Sequence, residues 1–175
     1  MLAFFLRTGL STSCGYLAEA QEGQFAFIML IVYHSQSGSC ARLAGACWSG
    51  ATEHNPAARI ERAVDVGTGD VVASAGVLLV CAENSGRLSG GMKDFLDRVF
   101  YPLIGHQCSL PYALLVSAGN DGRGAVAEAQ RIFRGIPFTE ALEPKIIRGL
   151  PDNTALDEAR ELGAGFALGL EMGIF

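Results

Sequence analysis

Residues 28–43, IMLIVYHSQSGSCARL, constrain the fold more than any other part of the chain. The run over 25–33 is apolar without alternation and rich in β-branched and aromatic residues. That is the pattern of a strand covered on both faces, as in a parallel sheet. Met29 stands where such a strand would begin. Ser35, Ser37, Gly38 and Ser39 follow at once, and then the helix formers Ala41, Arg42, Leu43 and Ala44. A strand, a hydroxyl-rich loop and a helix N-terminus make a concave site for an anion. Backbone N–H groups point inward, the helix dipole favours negative charge, and serine hydroxyls add donors. The loop therefore reads as a phosphate holder, although an ordinary βα turn with a serine cap fits the same residues. It has neither the lysine of G-x-x-x-x-G-K-[ST] nor the spaced glycines of G-x-G-x-x-G. A phosphate here would be held by uncharged donors, which favours a monoester over a metal-bound triphosphate.

Downstream, apolar strands and helices alternate. The pattern predicts helices over 41–50, 92–104, 124–133 and 154–172, with a brief helix or turn over 68–74. It predicts strands over 58–66, 76–82, 111–117 and 143–149. Asn55-Pro56 is a turn. The 92–104 helix is amphipathic through Met92, Phe95, Leu96, Val99, Phe100 and Leu103, with Ser89 placed to cap it. Thr154, Asp157 and Glu158 load the start of the last helix with caps and acids. This rhythm implies an α/β fold, a doubly wound five-stranded parallel sheet. In such sheets ligands bind beyond the carboxyl ends of the strands. The polar, glycine-rich loops after Tyr33, Cys81 and Ser117 all lie at those ends, so they converge on one site.

The chain has 175 residues, 50% hydrophobic and 18% charged, enough for one globular domain with a full core. Its net charge of −5 argues against nucleic acid or an anionic membrane surface as partner. No apolar run approaches the roughly 20 residues that a membrane helix needs. The five cysteines, Cys14, Cys40, Cys47, Cys81 and Cys108, form no C-x-x-C pair and no regular framework. Reduced thiols in a cytoplasmic protein account for them. His34, His54 and His106 are too scattered for a metal motif. Residues 1–24 read as an N-terminal extension outside the domain at 25–175. With no basic residue ahead of the apolar MLAFFL, a secretory signal is not expected there. Met29 is the expected native start, and the mass of the protein made from its own gene tests this.

The loops resemble those of the flavodoxin-like flavoproteins, in particular the FMN-dependent NAD(P)H oxidoreductases of that fold. The resemblance runs from about Met29 to Phe175. SQSGSC, residues 35–40, is similar to the T/S-x-T/S-G-x-T phosphate loop of that family. ENSGRLSGGMKDFLDR, residues 83–98, is similar to the stretch set against the flavin, and SAGNDGRGA, residues 117–125, to the loop at the isoalloxazine edge. The resemblance implies that Ser35, Gln36, Ser37, Ser39 and Cys40 donate to the FMN phosphate, with Gly38 permitting the turn. It implies that Glu83, Asn84, Ser85 and Gly86 lie along the ribityl chain and ring. It sets Gly119, Asn120, Asp121 and Gly122 at the pyrimidine edge. Cys40 departs from the usual threonine. A thiol is a weak donor, so that contact rests on the backbone N–H and weaker FMN binding is expected. The implied activity passes electrons from NAD(P)H through the flavin to a small-molecule or protein acceptor. No catalytic side chain is required, and the resemblance also implies a homodimer that closes the flavin site.

Other readings stay open at this point. Cys81 and Arg87 stand as C-x₅-R, the spacing of cysteine-dependent phosphatases. Against it, Cys81 ends an apolar strand and Glu83 brings a negative charge. His34 fits a structural residue or a ligand contact. Lys93, Asp94, Asp97 and Arg98 read as a solvated helix face. Glu143, Lys145 and Arg148 read as an edge-strand device. Trp48 reads as core or interface. An electron carrier without NAD(P)H activity, and an FMN-free interaction domain, are the non-enzyme alternatives.

Overall fold

The structure, a computed structural model, describes residues 17–19, 25–107, 109–136 and 138–175. Cys14, Cys108 and most of the expected 1–24 extension lie outside these residues. Strand β1 (Leu17–Glu19) pairs antiparallel with β2 (Phe25–Phe27) in a small separate sheet. The apolar run at 25–33 is therefore not one strand. The central strand β3 spans Met29–Tyr33, and its first four residues are buried. Asn55, itself buried, fixes the break between the two strands. Its Nδ2 donates to Phe27 O at 2.9 Å, while its Oδ1 accepts from Ala57 N at 3.0 Å.

The remaining expected elements follow in order, with two short strands, Arg87–Leu88 and Thr139–Glu140, added between them. Helix α1 is Ser39–Ala51 and β4 is Arg59–Arg62. Helix α2 is Thr68–Val72, with the Asp70 carboxylate accepting from Gly67 N at 3.0 Å. Strand β5 is Gly76–Asn84, β6 is Arg87–Leu88 and α3 is Gly90–His106. Strand β7 is Pro111–Ala118, α4 is Arg123–Phe133, β8 is Thr139–Glu140, β9 is Lys145–Arg148 and α5 is Asn153–Glu171. The cap of α5 is Asp152, one turn ahead of the acids singled out above; its carboxylate accepts from Ala155 N at 2.9 Å.

The main sheet runs β4-β3-β5-β7, parallel throughout, with β8 and β9 both pairing β7 at the far edge. The edge position is thus one strand interrupted. Between Tyr112 and Leu115 lie two residues of β7, while between their partners Glu140 and Lys145 lie four, so two extra residues bulge out. On this edge Lys145 pairs with Glu158 of α5 at 2.8 Å.

Because side chains alternate along a strand, each central strand feeds two cores. Leu30, Val32, Leu79 and Val116 pack with Met92, Phe95, Leu96, Val99 and Phe133, under α3 and α4. Met29, Ile31, Leu78, Val80 and Leu115 pack with Leu43, Ala44, Cys47 and Phe166, under α1 and α5. Helices α1 and α5 approach through glycines. A Cβ on Gly50 would sit 2.0 Å from Arg160 O, and one on Gly163 would sit 2.0 Å from Cys47 O.

Two surface expectations change. Lys93–Asp97 and Arg98–Asp94 are exposed i,i+4 pairs, but Arg98 is more than a solvated charge. Its guanidinium donates to Ala63 O at 2.7 Å and Val66 O at 3.0 Å, tying α3 to the segment after β4. Trp48 is not core: it is 41% exposed, and its indole N–H donates to Ala58 O at 2.9 Å.

Candidate functional site

Strands β3, β5 and β7 end side by side, and the loops after them meet there. In the first loop Ser35 Oγ accepts from Gly38 N at 3.1 Å. This tightens a turn that needs Gly38 at φ +92, a backbone conformation natural to glycine. Gly38 is then the N-cap of α1, and no side chain caps the helix. Arg42 N finds the first helical acceptor, Gly38 O at 3.0 Å. The N–H groups of Ser39, Cys40 and Ala41 precede it, so they have no acceptor within the helix. The first turn of α1 carries no acidic residue. The Ser37 and Ser39 hydroxyls lie 3.4 Å apart beside these donors. This is an uncapped helix end with hydroxyl donors and no competing carboxylate, the chemistry of a phosphate cradle.

Cys40 contributes only its backbone. Its side chain is 2% exposed and turns into the core against Ser117. Burial pushes its thiol up to about 11, with the Ser117 hydrogen bond partly opposing.

The second loop is not a loop. Strand β5 continues to Asn84 and turns back as β6, with Glu83 opposite Leu88 and Asn84 opposite Arg87. Ser85 and Gly86 form the two-residue turn, with φ of 51° and 73°, as turns of the I′ type require. The hairpin is seated on α4: Leu88 N donates to Glu128 Oε2 at 2.9 Å, and a Cβ on Gly124 would meet Gly86 O at 2.0 Å.

Side chains tie the three loops together. Asn84 Nδ2 donates to Gln36 Oε1 at 3.0 Å, joining the hairpin to the first loop. Glu83 Oε2 accepts from Gly122 N at 3.2 Å, joining it to the third. In the third loop Gly119 and Asn120 are exposed, Gly122 has φ +74, and the Asp121 carboxylate accepts from Arg123 N at 3.1 Å. Gln36, Asn84, Glu83 and Asp121 thus spend hydrogen bonds on the loops themselves. Ser37, Ser39, Ser85, Gly86, Gly119 and Asn120 are left facing outward or at the rim.

Of the two readings open for His34 the contacts favour the structural one, while Ser89 takes a role other than the cap its position suggests. Ser89 is the N-cap residue of α3, but its side chain does not cap. Its buried hydroxyl meets His34 Nδ1 at 2.9 Å instead, and a Cβ on Gly91 would lie 2.2 Å from the His34 ring. His34 is therefore a structural link between β3 and α3. Nothing local in the sequence distinguishes Glu128, whose role depends on the hairpin it receives.

The C-x₅-R reading fails on geometry. Cys81 is fully buried in β5, where burial pushes its thiol strongly upward, whereas Arg87 is exposed across the hairpin. Cys47 is likewise pushed up to about 12 by burial. Brief alkylation of the folded protein at pH 8 should leave Cys40, Cys47 and Cys81 unmodified by mass spectrometry. Rapid labelling of Cys81 before unfolding would restore the phosphatase reading. The sign of the pH effect follows. For Cys40, thiols of both folded and unfolded chains are protonated below the ordinary value of 9.0, and between there and about 11 only the unfolded chain ionises. Stability therefore falls as pH rises through that window. Among the described residues, no group of three or more His, Cys, Asp or Glu could hold a metal ion, and no helix is long and apolar enough to cross a membrane.

No protein-family model matches this sequence, and no curated protein matches it. Solved structures do match. A flavodoxin from the domain Archaea superposes with a TM-score of 0.74 at 20% identity, covering 83% of this chain and 99% of that one. A WrbA-like flavodoxin from Agrobacterium tumefaciens gives 0.70 at 16% identity, covering 84% and 99%. The two-electron reduced flavodoxin of Megasphaera elsdenii gives 0.65 at 24% identity, covering 80% and 98%. The fold of this chain is flavodoxin-like.

Proposed function

We propose that the chain binds FMN across the carboxyl ends of β3, β5 and β7 and acts as an NAD(P)H-dependent oxidoreductase. The observation that carries this reading is the meeting of three loops, cross-tied by Asn84–Gln36 and Glu83–Gly122, around the uncapped N-terminus of α1. The structures matched in fold include proteins named as flavodoxins.

The residues fit the group. The N–H groups of Ser39, Cys40 and Ala41, with the Ser37 and Ser39 hydroxyls, suit a phosphate monoester held without a cation. FMN, when bound, supplies the redox chemistry, taking hydride from the reduced nicotinamide and yielding electrons to an acceptor. The protein's part is binding and placement. Ser35 fixes the turn at Gly38, Gln36 and Asn84 set the spacing of the first loop and the hairpin, and Glu83 sets the hairpin against Gly122. Neither 83–89 nor 118–124 contains an aromatic residue, so no side chain there covers the ring by stacking. An uncovered ring face is what a nicotinamide needs, which favours an enzyme over a carrier. The acceptor is a small molecule or a protein, pairing of subunits would enclose the ring, and buried reduced thiols suit the cytoplasm.

The test is an absorption spectrum before and after FMN, then with NADPH or NADH. A flavin spectrum that bleaches with nicotinamide is the expected result. Uptake without bleaching would move the protein to the carriers. No uptake would overturn the flavin reading.

A further inference from the structure

Arginines gather on one side of the hairpin. Arg87 of β6, Arg131 in the last turn of α4 and Arg134 at its C-cap line an open cleft of about 480 Å³, together with Gly86, Gly124 and Glu128. All three arginines are exposed. Among the described residues none of them is in a salt bridge or a side-chain hydrogen bond; Arg62, Arg123 and Arg148 are unpaired too, but they do not line this cleft. Glu128 is the one carboxylate lining the cleft, and it is engaged by Leu88 N. Three guanidinium groups thus share one concavity with a single carboxylate, in a chain of net charge −5.

The cleft borders the candidate site, sharing Gly86 with it. Its upper end is the contact of Gly86 with Gly124, where the hairpin meets the start of α4. From there Gly124, Glu128, Arg131 and Arg134 follow one face of α4 at spacings of three and four. The rise from Gly124 to Arg134 is about 15 Å. We propose that this cleft holds the phosphate-bearing half of NADPH, its adenosine 2′-phosphate above all, and so selects NADPH over NADH. The inference rests on the oxidoreductase reading, in which a reduced nicotinamide must reach the flavin beside the hairpin. Guanidinium groups grip phosphate oxygens in pairs. A concave cleft suits a compact polyanion better than it suits the broad face of an acidic protein.

The test is calorimetric titration of adenosine 2′,5′-bisphosphate into the full chain, with and without FMN. Binding is expected, weaker by roughly tenfold for Arg131→Ala and for Arg134→Ala, and weaker again for 5′-AMP than for the bisphosphate. FMN affinity should not change, and kcat/KM should fall for NADPH but not for NADH. No bisphosphate binding, equal affinity in the variants, or equal losses with both nicotinamides would overturn the proposal; so would binding of polyglutamate but not of the bisphosphate. Arginine-dependent bisphosphate binding by a chain that takes up no FMN would keep the cleft and reject the flavin reading.

Discussion

Gly163→Ala should destabilise the protein by about 3 kcal/mol, while Gly165→Ala, two residues along the same helix, should stabilise it. Alanine is the better helix former by about 1 kcal/mol, and at Gly165 a Cβ meets nothing within 4 Å. That gain is realised there in full. At Gly163 the Cβ would lie 2.0 Å from Cys47 O and 2.6 Å from its carbonyl carbon, both backbone atoms. No rotamer relieves such a contact, so α1 and α5 must part. Overpacking of this kind costs about 1–3 kcal/mol and more where backbone shifts, which outweighs the propensity gain. Thermal unfolding should show Tm lower by roughly 6–10 °C for Gly163→Ala and higher by a few degrees for Gly165→Ala. Two variants that both gained stability would show that the helices are not held this close.

These glycines also show what can be read without coordinates. Buried strands announce themselves: LIVY, GVLLVC and PYALLV are apolar because helices cover both faces, and β5 and β7 appear where that pattern set them, while β3 takes only the second half of its apolar run. The amphipathic α3 was equally plain. The hairpin was not. Glu83 and Asn84 are strand residues only because they pair with Leu88 and Arg87, and a polar stretch with Ser-Gly in it carries the same local signal whether it pairs or not. Ser89 shows the same limit. Locally it is a helix cap, but His34, distant in the chain, takes its hydroxyl. The burial of Cys40 against Ser117 depends on packing that no local pattern reports. The arginine cleft joins β6 to α4 and was invisible for the same reason. What local sequence encodes is burial and turn chemistry, and what it leaves out is pairing between distant segments.

Ser39→Asp separates a phosphate loop from an ordinary helix start, because the two readings predict opposite consequences. Ser39 opens α1, whose first turn has no acidic residue and no side-chain cap. An aspartate there meets the positive end of the helix dipole, which favours it by about 0.5 kcal/mol. Without FMN the variant should therefore unfold at a Tm higher by roughly 1–2 °C. With FMN the same carboxylate faces the phosphate. Two charges about 4–5 Å apart in an effective dielectric near 20 repel by about 3–4 kcal/mol, a loss of affinity of several hundredfold. Flavin fluorescence titration should show that loss for FMN and little change for riboflavin, which lacks the phosphate. Ser39→Asn, similar in shape but uncharged, should bind FMN within a few-fold of the native protein. If Ser39→Asp gains stability and keeps its FMN affinity, the end of α1 is only a helix start, and a flavin in this protein is held by its ring.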